Sequence, residues 1–313
     1  MKNIWFINEH DAPPEFEKTR RRYDMCKYLL RLGKYKLHII CGAFLHGSQN
    51  KYAYDKNQKK NVNIDGVDVH ILKGVKYSSN IKRIFSMLIF MLRVIFFKFP
   101  KDDKPDIIYA SSPHPFNGLA GMYLARKYKC PFVLEIRDLW PETWVAMGAT
   151  TKKSIIYKVF AYIEKVLYKN ADKIITLTAN KDYYISVGVD EKKVEIVSNG
   201  VDLEKYDSLL KEESPVKLLE NKFNVLYTGA HGTANCLDNI LEVAKLIKND
   251  DIVFNFIGEG EKKEELIKKS EEYNLKNVRF YPPINKNLIP NTLKNGDVMI
   301  VIAKNTPLYK YGI

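Results

Sequence analysis

The segment Pro131-Phe132-Val133-Leu134-Glu135-Ile136-Arg137-Asp138-Leu139-Trp140-Pro141-Glu142 governs how the rest of the chain is read. Its first four residues form an apolar run with the length and composition of a buried strand. Carboxylates, a guanidinium and an indole then crowd the carboxyl end of that strand. In open α/β sheets ligands bind beyond the carboxyl ends of the strands. Glu135, Arg137, Asp138 and Trp140 are therefore candidate site residues. The same residues also suit a surface Arg137–Asp138 pair beside a core tryptophan, and composition alone leaves both readings open.

Outward from this segment, apolar runs and amphipathic stretches alternate. Strands are expected at 3–7, 37–41, 67–72, 106–111, 131–136, 173–178 and 194–198, then at 223–229, 254–258, 278–282 and 298–303. Helices are expected near 15–33, 115–129, 152–170, 236–249, 261–273 and 286–295. Alternation with intervals this long predicts an α/β fold of parallel sheets wrapped by helices. The polar stretch 204–222, with Ser214-Pro215, is the best boundary, giving domains 1–205 and 206–313. Residues 46–63 are polar and read as a loop. Residues 81–99 form the most hydrophobic helix candidate, but its longest uncharged run, Ile84 to Leu92, is too short to span a bilayer. Lys82, Arg83, Arg93 and Lys98 around apolar and aromatic residues suit a helix lying on an anionic membrane surface; a buried helix with snorkelling ends fits equally.

Charge is uneven along the 313 residues. Residues 206–313 carry 15 Lys/Arg and 15 Asp/Glu, so the whole formal charge of +13 falls on 1–205, with 35 basic and 22 acidic residues. An anionic partner is expected for the first domain: a phosphate-bearing substrate, a membrane surface or nucleic acid, although no nucleic-acid recognition module is visible. The four cysteines are scattered without metal-ligand spacing, which favours reduced thiols. The first strand begins at once, with no signal-peptide pattern.

Three further stretches carry chemistry. Arg20, Arg21 and Arg22 follow the first strand at the head of a helix, where Thr19 could cap it, and could form a phosphate site or simply a solvated basic face. The strand Phe223–Thr228 runs into Gly229-Ala230-His231-Gly232, and the strand at 254–257 ends in Gly258-Glu259-Gly260. Glycine turns after strands let a backbone approach a diphosphate, and they also simply turn the chain. With the prolines after the strand at 278–281 they suggest a nucleotide cleft between the domains. Neither the dinucleotide fingerprint nor a Walker loop is present.

In this order the motifs resemble those of glycosyltransferase family 4. They are Ser111-Ser112-Pro113 with Gly118-Leu119-Ala120, Arg137-Asp138-Leu139-Trp140-Pro141-Glu142, Ser198-Asn199-Gly200-Val201-Asp202, Tyr227-Thr228-Gly229 with His231-Gly232, Gly258-Glu259-Gly260, and Thr306-Pro307-Leu308-Tyr309. The chain is most similar to the fucosamine transferase-like group that builds O-antigen or capsule. The resemblance implies a GT-B fold of two Rossmann-like domains and retaining sugar transfer. The donor would be a UDP- or GDP-linked sugar, with no cofactor and no metal; no Asp-x-Asp stands at a strand end. Gly229, His231 and Gly232 would face the donor diphosphate, and Gly258, Glu259 and Gly260 the nucleoside. Arg20, Arg21 and Trp140 would serve the acceptor, a lipid-linked saccharide, on the inner face of the plasma membrane in the cytoplasm. Asp138 is the first choice for the catalytic polar group, with Arg137 and Glu135 as alternatives. A non-hydrolysing sugar-nucleotide 2-epimerase, or a non-enzymatic membrane-associated binding remnant, are the competing readings. Because the family continues past the position of Ile313 with its ribose-binding acid, final strands and closing helix, the second domain is expected to be incomplete, marginally stable and impaired in donor binding. Asn235 and Cys236 stand where the family carries its diphosphate-gripping cations.

Overall fold

A computed structural model describes residues 1–11, 13–14, 21–45, 51–52, 60–99, 103–146, 148–178 and 181–305. The chain forms two compact units that divide between Gly200 and Val201.

The first unit runs β1 (Lys2–Ile7), α1 (Arg21–Arg31), β2 (Tyr35–Gly42), β3 (Phe44–Leu45), β4 (Lys51–Tyr52), β5 (Lys60–Ile64), β6 (Val67–Leu72), α2 (Asn80–Ile95), β7 (Ile107–Ser112), α3 (Pro115–Tyr128), β8 (Phe132–Ile136), α4 (Glu142–Ala146), α5 (Ile155–Asn170), β9 (Lys173–Thr176), α6 (Lys181–Ser186) and β10 (Val194–Ile196). Its main sheet has the order β10-β9-β8-β7-β1-β2-β6-β5. Every pairing is parallel except β5 with β6. Strands bury both faces, as covered parallel strands must. Phe6, Ile39, Val69 and Ile71 pack on one side with Tyr23 and Cys26 of α1. Trp5, Ile7, Ala110, Leu134 and Ile174 pack on the other with Phe90 of α2, Leu124 of α3 and Leu167 of α5.

Small residues set the distance between α3 and the sheet. A Cβ at Gly121 would lie 2.7 Å from the Ala110 Cβ and 3.1 Å from the Phe132 ring, and one at Gly118 would lie 2.9 Å from Leu167. The helix backbone therefore sits directly on β7 and β8, and its first turn reaches the carboxyl ends of those strands.

Two expectations change. Residues 60–63, read as part of a loop, belong to edge strand β5. Asp65-Gly66, both at positive φ (50° and 87°), make the two-residue turn that joins it to β6. The helix expected over 81–99 ends at Ile95. It is capped by the Ser79 side chain, which accepts from Lys82 N–H. Its Met87, Phe90 and Val94 are buried, while Phe85 and Phe96 on the opposite side are 62% and 75% exposed. Among the described residues no helix is long and apolar enough to cross a membrane.

The second unit runs α7 (Leu203–Leu209), β11 (Phe223–Thr228), α8 (Asp238–Leu246), β12 (Ile252–Ile257), α9 (Lys263–Glu272), β13 (Val278–Tyr281), α10 (Ile289–Lys294) and β14 (Val298–Met299). Its sheet is parallel, in the order β13-β12-β11-β14. Ile240, Leu241 and Ala244 of α8 and Leu266 of α9 pack on Val225, Tyr227, Phe254 and Phe256. The strand expected over 298–303 shortens to two residues at the sheet edge, and Val298, Met299 and Val301 are exposed.

Candidate functional site

In the first unit the chain builds β1, β2 and β6 outward in one direction, then returns to lay β7 against the other side of β1 and continues to β8, β9 and β10. The strand order thus reverses between β1 and β7. Loops leaving the two strands at such a point diverge and open a crevice at their carboxyl ends. Asn8, Glu9, His10 and Asp11 follow β1; Ser111 and Ser112 close β7, with His114 at the N-cap of α3; Glu135, Arg137 and Asp138 end or follow β8.

Glu135 is the anchor of this edge. It is 0% exposed. Its Oε2 accepts from Arg22 Nη2 at 2.7 Å, and its Oε1 accepts from Arg21 Nε and Nη2 at 3.2 and 3.1 Å and from the Tyr109 hydroxyl at 3.0 Å. Burial alone would raise its pKa, but Arg22, Ser111, Arg21 and Tyr109 together hold it down to about 2. Arg22, itself buried, donates through Nε to Asp11 Oδ2 at 3.0 Å and lies over the rings of Phe6 and Tyr109 at 4.7 and 4.6 Å. Asp11 in turn accepts from Asn8 Nδ2 at 2.7 Å. One buried ionic network therefore fixes the loop after β1, the first turn of α1 and the end of β8.

This geometry revises two sequence readings. Glu135 has both carboxylate oxygens engaged by protein donors and no exposed surface, so it organises the site rather than meeting substrate. Arg21, expected to bind acceptor phosphate, makes five hydrogen bonds: two to Glu135 and one each to Val197 O, Ser198 O and Asn199 Oδ1. A guanidinium has five N–H donors, so its fork is already filled by protein. Arg20 and Thr19 lie outside the described residues.

Asp138 differs from Glu135. Its side chain is open to solvent, yet surrounding protein crowds it on most sides. Desolvation raises its pKa above the ordinary 3.8, against the lowering influence of Arg137 and Arg83. Arg83 comes from the first turn of α2, so that helix carries a cation to the same edge. Arg137 is half-buried, and its charge lowers the pKa of both Asp138 and Asp11 against their desolvation. Trp140 is half-buried against Trp144 and Phe160, with ring centroids 4.4 and 5.6 Å away. Much of its indole is thus packing surface. Glu142 accepts from the Tyr157 hydroxyl at 2.6 Å and ties α4 to α5.

In the second unit the two glycine turns stand at the carboxyl ends of neighbouring strands β11 and β12 and pack on each other. A Cβ at Gly258, whose φ is +150°, would fall 1.9 Å from Gly229 O, and one at Gly260 would fall 2.4 Å from His231 O. His231 N–H donates to Glu259 O at 2.9 Å. Glu259 is exposed and pairs with Lys263 at 3.4 Å. At Gly232 an added Cβ would meet only Asn235 Oδ1, at 3.4 Å. His231, expected to face a donor, instead has its ring fully buried beside Tyr227, Phe256 and Phe280. Pairing of the turn with Gly258–Gly260 directs this side chain inward, and burial, reinforced by Lys263, lowers its pKa. The helix after the turn starts only at Asp238, beyond a 3-10 turn over Thr233–Asn235.

Sequence reasoning passed over Glu9, Asp11 and His114 and did not single out Arg22 from its neighbours. The signal available for them was position: each lies just beyond β1 or β7, the two strands at the reversal, or faces Glu135 from α1. His114 Nε2 stands 2.9 Å from Glu9 Oε2, and both residues are buried.

Replacing Glu135 by Gln should cost about 3–5 kcal/mol at neutral pH, because Arg22 remains buried with only Asp11 of its two carboxylate partners and Arg21 loses its own. The folded pKa of Glu135 lies below the usual 4.5. Its ionised form therefore stabilises the fold above about pH 4.5, and that contribution is lost as pH falls toward about 2. Urea denaturation across this range should show the loss in the native protein and its absence in Glu135→Gln; a variant as stable as the native chain at pH 7 would contradict the assignment.

Comparison with known proteins agrees with this architecture. The profile described as Glycosyltransferase Family 4 matches residues 19–205, and that described as Glycosyl transferases group 1 matches 211–307. WcaI of Escherichia coli (strain K12), named as a glycosyl transferase of colanic acid biosynthesis, is 24% identical over 209 residues, 64% of this chain and 51% of WcaI. The Escherichia coli UDP-Gal:alpha-D-GlcNAc-diphosphoundecaprenol alpha-1,3-galactosyltransferase is 29% identical over 217 residues, 66% of this chain and 54% of that protein. The chain spans about half the length of these curated relatives. Among solved structures, Anabaena HepE in complex with UDP and glucose superposes with a TM-score of 0.61 at 13% identity, covering 97% of this chain and 74% of HepE. The first profile alone spans more than half the residues, over the unit whose sheet and motifs have just been described: the chain belongs to Glycosyltransferase Family 4.

Proposed function

We propose that the chain is a retaining glycosyltransferase that moves a sugar from a nucleotide donor to a lipid-linked saccharide during synthesis of a surface polysaccharide. The observation that carries this reading is Asp138: a solvent-accessible carboxylate just beyond the carboxyl end of β8, with the charges of Arg137 and Arg83 acting on it, three residues after the buried Glu135. In retaining transfer positive charge develops on the sugar and negative charge on the departing diphosphate. A fixed carboxylate favours the first and fixed guanidinium groups the second, and preorganised charge of this kind supplies much of enzymatic rate enhancement. The leaving diphosphate takes the proton of the acceptor hydroxyl, so the protein's part is positioning and charge stabilisation.

The donor is assigned to the second unit, at Gly229, Gly232 and Gly258–Gly260; that it is a nucleotide sugar is supported by HepE, a protein of similar fold known in complex with UDP and glucose. The acceptor is assigned to the first unit, by likeness to a relative named for a diphosphoundecaprenol-linked substrate. Such an acceptor resides in a membrane, and α2 suits docking there: exposed Phe85, Leu92 and Phe96 share one side, with Lys82 and Arg83 at its start and Lys98 just beyond its end. This reading puts the protein on the cytoplasmic face of an anionic membrane.

Asp138→Asn should lower kcat by about 100-fold or more while leaving the far-UV circular dichroism and melting temperature unchanged. Because the native carboxyl has a raised pKa, the acid limb of native activity should lie above pH 3.8. Transfer of labelled sugar from UDP- or GDP-sugars into polyprenyl-diphosphate-linked saccharide measures both, and undiminished turnover by the variant would remove Asp138 from the mechanism.

Joint replacement of Phe85, Leu92 and Phe96 by Ser should reduce sedimentation with phosphatidylglycerol vesicles at least tenfold, since each buried side chain of this size contributes about 1.5–3 kcal/mol. Equal binding by the native and triple-variant proteins would exclude α2 as the docking surface.

A further inference from the structure

Glu9, His10 and His114 form a cluster at the strand reversal that the proposed transfer chemistry does not use. One donor atom from each, a carboxylate oxygen and two imidazole nitrogens, lies within 4.8 Å of the others. Glu9 and His114 are buried and His10 is half-buried. The Nδ1 atom of His114, at a side chain with no exposed surface, has no hydrogen-bond partner among the described residues. His114 meets Glu9 through its other ring nitrogen, Nε2, 2.9 Å from Oε2, and that is the nitrogen an ion shared with Glu9 would take.

The surroundings hold these side chains from several directions. Asn8 Oδ1 accepts from His10 N–H at 3.1 Å and from Asn117 Nδ2 at 3.2 Å, and Asn117 Nδ2 also donates to Ser111 O at 3.0 Å. The turn after β1 and the first turn of α3 are thereby fixed to each other. On the other side, a Cβ at Gly42 would approach Glu9 O to 3.0 Å and Glu9 Cγ to 3.1 Å, so β2 leaves the space that Glu9 fills. Ligands on strand ends and a helix cap, each supported by packing and outer hydrogen bonds, have the rigidity a coordination site requires.

We propose that Glu9, His10 and His114 bind one divalent transition-metal ion, with zinc as the best fit to two imidazoles and one carboxylate. Three such protein ligands leave a fourth position of a tetrahedral zinc open to water or substrate. The ion would join the β1 loop to the amino end of α3. Zinc binding would use none of Asp138, Arg137 and Arg83, so it stands or falls independently of the transferase reading.

The test is zinc titration of the full chain, prepared free of metal, by calorimetry and thermal melting. The native protein should take up about one zinc per chain, with a raised melting temperature. His10→Ala, at the half-buried position and therefore the mildest change, should weaken binding by about 100-fold or more, beyond the 10–100-fold typical of losing an outer-shell contact. No saturable zinc uptake by the native protein, or equal affinity in folded His10→Ala, would overturn the proposal. If His10→Ala does not fold, cobalt(II) decides on the native protein. Intense visible bands of four-coordinate cobalt are expected, and the weak spectrum of the aqua ion would overturn the site.

Discussion

The carboxylate of Glu135, with Arg22 on one oxygen and Arg21 and Tyr109 on the other, joins parts of the chain that are far apart in sequence. Through Arg22 it reaches Asp11 beyond β1, and through Arg21 it reaches the backbone of residues 197 and 198 beyond β10. A buried charge left unpaired would cost several kcal/mol, whereas a fully satisfied network sets one geometry and resists alternatives. The accessible groups of the edge, Asp138 and Arg137, follow Glu135 by three and two residues. Both therefore leave the strand directly after a residue that the network holds.

The fold was legible because its signals are local. Apolar runs separated by amphipathic stretches announce parallel strands and covering helices, and most boundaries fall within a few residues of the expected ones. Asp65-Gly66 was equally local but lay beside a polar stretch, and that polarity hid β5. The site was legible only in part. Glu135, Arg137 and Asp138 stand together in the sequence, so their shared location could be read. Their division of labour could not, because Arg21 and Arg22 converge on Glu135 from more than a hundred residues away. The same limit applies to Glu9 and His114, which meet only because β7 returns beside β1.

The second unit teaches a related lesson about glycine. Gly258 and Gly260 looked like places where a ligand approaches the backbone, and each is also required by the neighbouring turn: any side chain there would overlap Gly229 or His231. Close contact between the β11 and β12 turns shapes this edge and sends the His231 ring into the core. On α2, by contrast, both readings of the sequence coexist. One side of the helix is core, and the other is an apolar surface beginning at a pair of cations.

The central physical claim is that Arg22 and Glu135 depend on each other. A double-mutant cycle with Arg22→Leu, Glu135→Leu and the pair, followed by urea denaturation at pH 7, measures that dependence directly. Each single change takes one counter-charge from a buried group that keeps a second, Arg21 for Glu135 and Asp11 for Arg22, and the double change removes the pair, so a coupling energy of about 2–3 kcal/mol is expected. Effects that add within about 0.5 kcal/mol would show two independent residues and contradict the account.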